Sequence, residues 1–144
     1  MDFGPVFLAS PNAYLVLRAD YFITAANQSF LQLMGRSPES VIGHSILDAF
    51  PPNPQSDTNT GQTTIRNAVD RVVATRQPVT LTDFEYSIAD FSGDRTRFHE
   101  RLWNCALVPI VGADQVLHVL IATHDISAQH FSHLKLGRRA DPPA

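Results

Sequence analysis

Short apolar runs alternate along the chain with polar turns, and their spacing predicts the order of the secondary-structure elements. Two runs, residues 13–18 and 22–26, flank a short polar turn and predict a β-hairpin. Three longer runs, residues 79–88, 97–110 and 116–126, predict three further strands joined by polar turns. The chain therefore begins and ends in β-structure.

The segment between these two groups of strands carries helix signals. Asn27 stands at a helix N-cap position, where its side-chain oxygen can accept a hydrogen bond from a backbone N–H of the first turn. Gly35 can end that helix in the left-handed conformation. Residues 37–39, Ser-Pro-Glu, indicate a second cap with proline at the first helical position. Apolar residues at helical spacing predict an amphipathic helix over residues 62–76, after a loop at 51–61 that is typical of a lid or a mobile connection.

Strands and helices segregate along the chain, and this arrangement indicates an α+β fold with an antiparallel sheet. The length of 144 residues fits one domain with a hydrophobic core. We predict an N-terminal cap segment at residues 1–10 and the domain itself at 11–127. Residues 128–144 are predicted to form a linker or the start of a further helix.

Composition and charge narrow the classes of function. Hydrophobic residues make up 44% of the chain and charged residues 17%, which is typical of globular proteins. A net charge of -3 does not favour nucleic-acid binding, for which a basic excess is usual. No apolar stretch approaches the roughly 20 residues of a membrane-spanning helix. The single cysteine, Cys105, allows no intrachain disulfide. These features predict a soluble, cytoplasmic protein that binds neither nucleic acid nor membrane.

Two stretches of the chain carry more specific features. The first, "SPNAYLVLRADYFITAANQSFLQLMGRSPESVIGHSILDAF", combines the hairpin with an Ala-Asn before a helix, a Gly-terminated turn and an Ile-Gly. The second joins "ERLWNCALVPI" to "VLHVLIATHDIS" across a polar turn. Over roughly residues 6–127, this combination resembles the PAS family of bacterial sensory domains. The resemblance implies a five-stranded antiparallel sheet in the order 2-1-5-4-3 with helices packed on one face.

The resemblance also implies a function in signal transduction. PAS domains bind a small ligand or a partner and relay their state to an effector such as a histidine kinase, in the same chain or another. Asp125, Ile126 and Ser127 match the family's Asp-Ile-Thr-type ending, with Ser for Thr, and are the predicted signal junction. Ser127 or Asp125 can cap an exit helix there by bonding local backbone groups. An ordinary capped strand end is the alternative.

Two other classes of function remain open at this point. The chain could be a ligand-free dimerisation domain. It could also be a small enzyme or carrier on another α+β fold. No nucleophile elbow, phosphate loop or paired carboxylates can be recognised, and we therefore predict no catalytic residues.

Seven residues are candidates for lining a pocket between the sheet and the helices. Alternation along two predicted strands places four of them on one face of each strand, and helical spacing places the other three on one face of the predicted helix. The set is Ile65, Val69, Val72, Phe84, Tyr86, Trp103 and Cys105. Aromatic and aliphatic walls suit a small organic ligand, and a completely filled core is the alternative.

Known cofactor and metal sites match the chain poorly. Residues 104–106, Asn-Cys-Ala, lack the arginine of the Asn-Cys-Arg motif of flavin-binding relatives and lie in a predicted strand, so covalent flavin is disfavoured. Haem-binding relatives carry a histidine on the longer helix, whereas residues 62–77 contain none. His118 and His124 share a strand face roughly 20 Å apart, too far to converge on one zinc ion at about 2.0–2.1 Å. We predict no metal site and leave the cofactor unidentified.

The distribution of apolar residues also predicts self-association. The N-terminal segment contains Phe3, Val6, Phe7 and Leu8, which are too few to form a core of their own. The last strand is apolar on both sides, and the side that faces away from the helices needs a cover. In PAS relatives an N-terminal helix commonly packs on that face and pairs with its mate. We predict a homodimer through the N-terminal segment and the outer sheet face. A monomer whose segment covers its own sheet is the alternative.

Overall fold

The structure, a computed structural model, describes residues 4–54, 61–91, 93–113 and 115–128. In chain order its elements are α1 (Gly4–Ala9), β1 (Ala13–Arg18), β2 (Ile23–Ala26), α2 (Gln28–Met34), α3 (Pro38–Val41), α4 (Ile46–Ala49), α5 (Gly61–Thr75), β3 (Val79–Glu85), β4 (Ile88–Asp90), β5 (Arg97–His99), β6 (Leu102–Gly112) and β7 (Gln115–Asp125).

The main sheet is five-stranded, with the order β2-β1-β7-β6-β3. Each pair of neighbours is antiparallel. Counted within this sheet alone, the strands run 2-1-5-4-3. The α+β class with an antiparallel sheet is confirmed.

The core lies between one face of this sheet and the helices. Alternate residues of the strands point to that face, because successive side chains of a strand point to opposite sides. The most completely buried side chains come from β1, β2, β6, β7, α3 and α5; they include Leu15, Leu17, Ile23, Val41, Val69, Val72, Leu107 and Val119.

The helix signals of the sequence have structural counterparts. Asn27 caps α2 by accepting a hydrogen bond from the Phe30 N–H, and Gly35 ends the helix with a φ of 65°. Ser37 stands at the N-cap of α3, before Pro38, but its side chain makes no capping hydrogen bond. The amphipathic helix predicted at 62–76 is α5. Of the predicted loop at 51–61, residues 55–60 lie outside the described residues. None of the described helices combines the length and apolar character needed to cross a membrane.

Two of the predicted strands are each divided in the structure, which corrects the sequence prediction. The run 79–88 forms β3 and the start of β4, and the run 97–110 forms β5 and most of β6. The interruption falls at Tyr86, whose carbonyl accepts a hydrogen bond from the indole N–H of Trp103 at 3.0 Å. Because a side chain takes this carbonyl, the ladder breaks, and β4 and β5 continue the hairpin as a separate two-stranded sheet.

The side chain of Asn27 joins three elements and is completely buried. Its oxygen accepts hydrogen bonds from the N–H groups of Tyr14 and Phe30, each at 3.0 Å. Its nitrogen donates to the carbonyls of Phe7 at 3.1 Å and Asn12 at 2.7 Å. One amide therefore holds α1, β1 and α2 together with both of its polar atoms satisfied.

The two edges of the main sheet differ in how they end. Along β2, Ile23 donates from its N–H to the His44 carbonyl at 2.9 Å and accepts from the Gly43 N–H at 2.9 Å, so a loop is bonded to the start of this edge strand. Along β3 the register shifts between Leu81 and Phe84. Asp83 has a φ of 51° there, a left-handed conformation that aspartate tolerates better than most residues.

Candidate functional site

A cavity of about 60 Å³ lies between the main sheet and the helices. Its walls are almost entirely apolar, and none of the side chains that line it is charged. They are Leu15, Phe30, Met34, Ile46, Phe50, Ile65, Phe84, Tyr86, Ile88, Trp103, Cys105, Ile121 and Thr123. The core of this fold is therefore not completely filled.

Five of the seven residues predicted to line a pocket line this cavity: Ile65, Phe84, Tyr86, Trp103 and Cys105. The other two, Val69 and Val72, are completely buried on the same face of α5 but are not among the lining residues. They lie about one and two turns beyond Ile65. The cavity thus faces only the first part of α5, and the rest of the helix packs into the solid core.

Several lining residues were missed by the sequence analysis. Leu15 could have been found, since Leu15 and Leu17 alternate on the core face of β1. Thr123 could also have been found, because it shares the phase of Val119 and Ile121 on β7. Phe30, Met34, Ile46 and Phe50 lie on or beside short helices, and no local pattern in the sequence indicates that they meet.

A polar framework holds Tyr86 across one side of the cavity. Its hydroxyl donates to the Phe50 carbonyl, and its own carbonyl accepts from the Trp103 indole. The Gln62 side chain donates to the carbonyls of Leu47 at 2.8 Å and Phe50 at 3.2 Å. Burial raises the pKa of Tyr86 to about 12, so the phenol keeps its proton and remains a donor at neutral pH.

Gly61, at the start of α5, permits the close approach of this helix to Tyr86. A Cβ atom at position 61 would lie 2.8 Å from the Tyr86 ring and 3.0 Å from the Glu85 carbonyl oxygen. Both distances are shorter than ordinary contacts, and the second involves the backbone. Glycine is therefore required here for the helix to close over the cavity.

The predicted junction, residues 125–127, is bonded to the beginning of β6. The buried Ser127 hydroxyl accepts a hydrogen bond from the Leu102 N–H at 2.8 Å. The Ile126 N–H donates to the Leu102 carbonyl at 2.9 Å. The carboxylate of Asp125 accepts from the Ser127 N–H at 2.9 Å and lies 3.6 Å from the Arg101 guanidinium. The backbone is helical at Ser127 and the following residue, and 129–144 lie outside the described residues.

Comparison with known families decides the relationship of this chain. Residues 7–130 match the family model described as the PAS fold. The chain belongs to the PAS family. No curated protein matches it in sequence.

Solved PAS structures share the fold. The PAS domain of a protein from Colwellia psychrerythraea is 22% identical with a TM-score of 0.64, over 86% of this chain and 93% of that one. The PAS domain of nitrogen regulation protein NR(II) from Vibrio parahaemolyticus is 16% identical with a TM-score of 0.60, over 85% and 95%. A sensory box sensor histidine kinase from Vibrio cholerae is 19% identical with a TM-score of 0.56, over 83% and 84%.

The cavity of this PAS domain does not fit haem or flavin. Its lining contains no histidine that could serve as an axial ligand, and no cationic side chain that could pair with a propionate or a phosphate. Cys105 lines the cavity, but the neighbouring Asn104 does not. The Asn104 side chain accepts a hydrogen bond from the Asp83 N–H. Neither cofactor is therefore included in the function that we propose.

Cys105 is the only thiol of this PAS domain and is 5% exposed. Burial raises its pKa to about 11, although a hydrogen bond with the Thr123 side chain opposes part of that rise. Alkylating reagents attack the thiolate rather than the thiol. Near neutral pH, Cys105 in the folded domain is therefore protonated and chemically quiet.

We expect Cys105 in the native protein to resist iodoacetamide at pH 8. Compared with the ordinary value of 9.0, a pKa of about 11 lowers the thiolate fraction about 100-fold, and burial blocks the reagent further. Labelling followed by mass spectrometry should show slow modification that accelerates as the pH rises toward 11. The same reaction in denaturant provides the control and should be fast. Equal rates in the two conditions would contradict the burial of this thiol.

Proposed function

We propose that this PAS domain is a non-catalytic sensory module. Its cavity or its surface takes up a small ligand or a partner, and the junction at residues 125–127 relays the resulting state to an effector such as a histidine kinase, in the same chain or another. One observation carries the proposal. The Ser127 hydroxyl is bonded to the backbone of Leu102, and the next residue, Trp103, lines the cavity.

The contacts around Leu102 supply a physical route between the two regions. Three hydrogen bonds fix its main chain to the junction, one through its N–H and two through its carbonyl. On the cavity side, the Trp103 indole is fixed by the Tyr86 carbonyl. A ligand that displaces the indole therefore moves the backbone of Trp103 and Leu102. Because Leu102 is bonded to Ser127 and Ile126, this movement reaches the junction. Such a ligand favours whichever arrangement it binds more tightly.

We expect Ser127→Ala to change the output of an attached effector. The variant leaves the Leu102 N–H without its hydroxyl acceptor, and a coupling between two sites is typically worth about fivefold or more. The measurement is autophosphorylation of a histidine kinase catalytic region fused after residue 144 as a reporter. Ser127→Thr keeps the hydroxyl and should behave as the parent protein does.

Ser45→Ala provides a matched control for this experiment. The Ser45 hydroxyl also accepts a backbone hydrogen bond, from the Leu47 N–H at 3.3 Å, but it caps α4 far from the junction along the chain. Its removal should leave kinase output unchanged. Equal effects of the Ser45 and Ser127 variants, or no effect of either, would contradict the relay.

The proposal includes self-association through α1 and the outer face of the sheet. On that face, Val16 and Val108 flank Leu120 in one row across three strands. Val108 is 38% exposed. In α1, Phe7 stacks on Tyr14 at 6.1 Å and thereby anchors the helix to β1. Val6 and Leu8 remain exposed in α1. Contiguous exposed apolar surface is typical of an interface, and a second copy of the chain can cover it.

We expect the protein to be dimeric and Val108→Asp to shift it toward the monomer. The substitution places a charge within the apolar row, and burying an unpaired charge in an interface is strongly unfavourable. Light scattering should give about twice 15.9 kDa for the parent protein and the single mass for the variant. Asn67→Asp, which adds the same charge on the exposed face of α5, should stay dimeric. A parent mass near 15.9 kDa at all concentrations would rule out the dimer.

A further inference from the structure

The polar atoms in the cavity walls are already engaged with the protein. The Tyr86 hydroxyl and the Trp103 indole N–H both donate to main-chain carbonyls. The Thr123 hydroxyl interacts with the Cys105 thiol. Among the described residues, no buried side-chain nitrogen or oxygen lacks a hydrogen-bond partner. A ligand in the cavity would therefore find the Tyr86 and Trp103 donors already in use.

This arrangement selects against charged and strongly polar ligands. A carboxylate would leave its hydration shell without gaining a free donor or a cationic partner, and such a transfer is very costly. An apolar molecule incurs no such cost, because it replaces empty space or poorly bonded water with dispersion contacts. The chemistry of the walls therefore favours an uncharged hydrocarbon-like ligand.

The size of the cavity limits the ligand further. Its volume of about 60 Å³ corresponds to roughly four to six water-sized groups. Met34 lies in the wall, and a flexible thioether can adjust to the outline of such a molecule. This volume suits a compact molecule of a few non-hydrogen atoms in contact with Trp103.

The exposure of the walls indicates where the ligand enters. Three lining residues, Phe84, Tyr86 and Ile88, are partly exposed, whereas the other lining residues are buried. These three lie next to one another on β3 and β4 and on the short segment that joins them. The route from solvent therefore passes Tyr86, the residue whose hydroxyl is bonded to Phe50.

We propose that the cavity binds a neutral, apolar molecule of a few non-hydrogen atoms, such as a short branched alkene or alkane. This inference rests on the proposed sensory function and names the ligand class for it. The ligand enters beside Tyr86 and contacts Trp103 and Cys105. The uncharged walls disfavour anionic metabolites.

Isobutene, acetone and acetate test this inference because they share one planar shape and differ in polarity. Each is titrated into the full chain, and amide chemical shifts are followed by nuclear magnetic resonance. Isobutene should give saturable shifts at Cys105 and Ile121. Acetone should bind at least about tenfold more weakly, and acetate about 100-fold more weakly or not at all, because each leaves polar atoms unpaired. Acetate binding as tightly as isobutene would overturn the ligand class.

Two variants show whether the shifts come from the cavity. Cys105→Leu fills the space and should abolish isobutene binding. Ala106→Leu adds a similar bulk on the next residue of β6, toward the outer face, and should bind as the parent protein does. If Cys105→Leu does not fold, Thr123→Val replaces it: this variant keeps the side-chain shape, removes the hydroxyl and should bind isobutene at least as tightly. Binding that survives in a folded Cys105→Leu protein would overturn the site.

The outcomes also separate this inference from the sensory function. If isobutene does not bind while Ser127→Ala still alters kinase output, the ligand class is wrong and the relay stands. If isobutene binds as expected while Ser127→Ala changes nothing, the cavity is a binding site but the proposed relay is wrong.

Discussion

Replacing Trp103 with alanine is expected to lower the free energy of unfolding by about 3–5 kcal/mol. The side chain is 3% exposed and belongs to the hydrophobic core. Its truncation would enlarge a cavity that the fold already contains, because Trp103 is one of the lining residues. It would also remove the indole donor of the Tyr86 carbonyl. Urea unfolding followed by circular dichroism measures this loss.

Two comparisons separate the origins of the Trp103 effect. Trp103→Phe should cost less than the alanine variant because it keeps an aromatic ring in the core. Its remaining cost includes the loss of the N–H donor to the Tyr86 carbonyl. Val108→Ala lies on the same strand but on the outer face, where the side chain is 38% exposed, and should cost less than about 1 kcal/mol in the monomer. A Trp103→Ala protein as stable as Val108→Ala would show that the indole does not support the core.

Asn27→Ala should be comparably damaging, with an expected loss of roughly 3 kcal/mol or more. Loss of an N-cap typically costs about 1 kcal/mol. Each further buried backbone group left without a partner adds about 1–3 kcal/mol. Besides the cap, Asn27 bonds backbone groups of Phe7, Asn12 and Tyr14. Urea unfolding gives the magnitude, and hydrogen exchange at the Tyr14 and Phe30 amides should become faster.

A control for Asn27 lies at the start of the next helix. Ser37 is also an N-cap, but its side chain makes no capping hydrogen bond, so Ser37→Ala should change stability very little. Asn27→Asp keeps the acceptor oxygen but replaces the donor nitrogen with a second oxygen. This second oxygen faces the Phe7 and Asn12 carbonyls, which repel it. The variant should therefore be destabilising as well. Equal stabilities of the Asn27→Ala and Ser37→Ala proteins would contradict the role of the buried amide.

Periodicity predicted much of the fold because an element that is buried on one face has apolar residues at regular spacing in the sequence. Trp103 and Cys105 share a phase on β6, and both line the cavity as that phase required. The cap at Asn27 and the glycine at position 35 were equally visible, because each reflects a local backbone requirement. The PAS resemblance added the strand order, which no local pattern in this chain contains.

The cavity itself was only partly visible in the sequence. Helical spacing identified the buried face of α5 but could not show that Ile65 faces a void while Val69 and Val72 face packed side chains. The position of the void depends on how α2 and α4 pack against the sheet, and this packing is a tertiary property. The break in the hairpin at Tyr86 was invisible for the same reason, since it depends on a side-chain bond from Trp103 across the ladder.

The two edges of the sheet bear on how copies of this domain can meet. A free strand edge can template another strand, and such pairing leads to open-ended aggregates. Here the His44 loop is bonded to Ile23 on the β2 edge, while the left-handed conformation at Asp83 distorts the β3 edge. Each of the two edge strands of the main sheet is therefore interrupted at one place along its length. Pairing of this sheet with a strand of another copy is therefore hindered, and we expect the protein to resist fibril growth when it is concentrated.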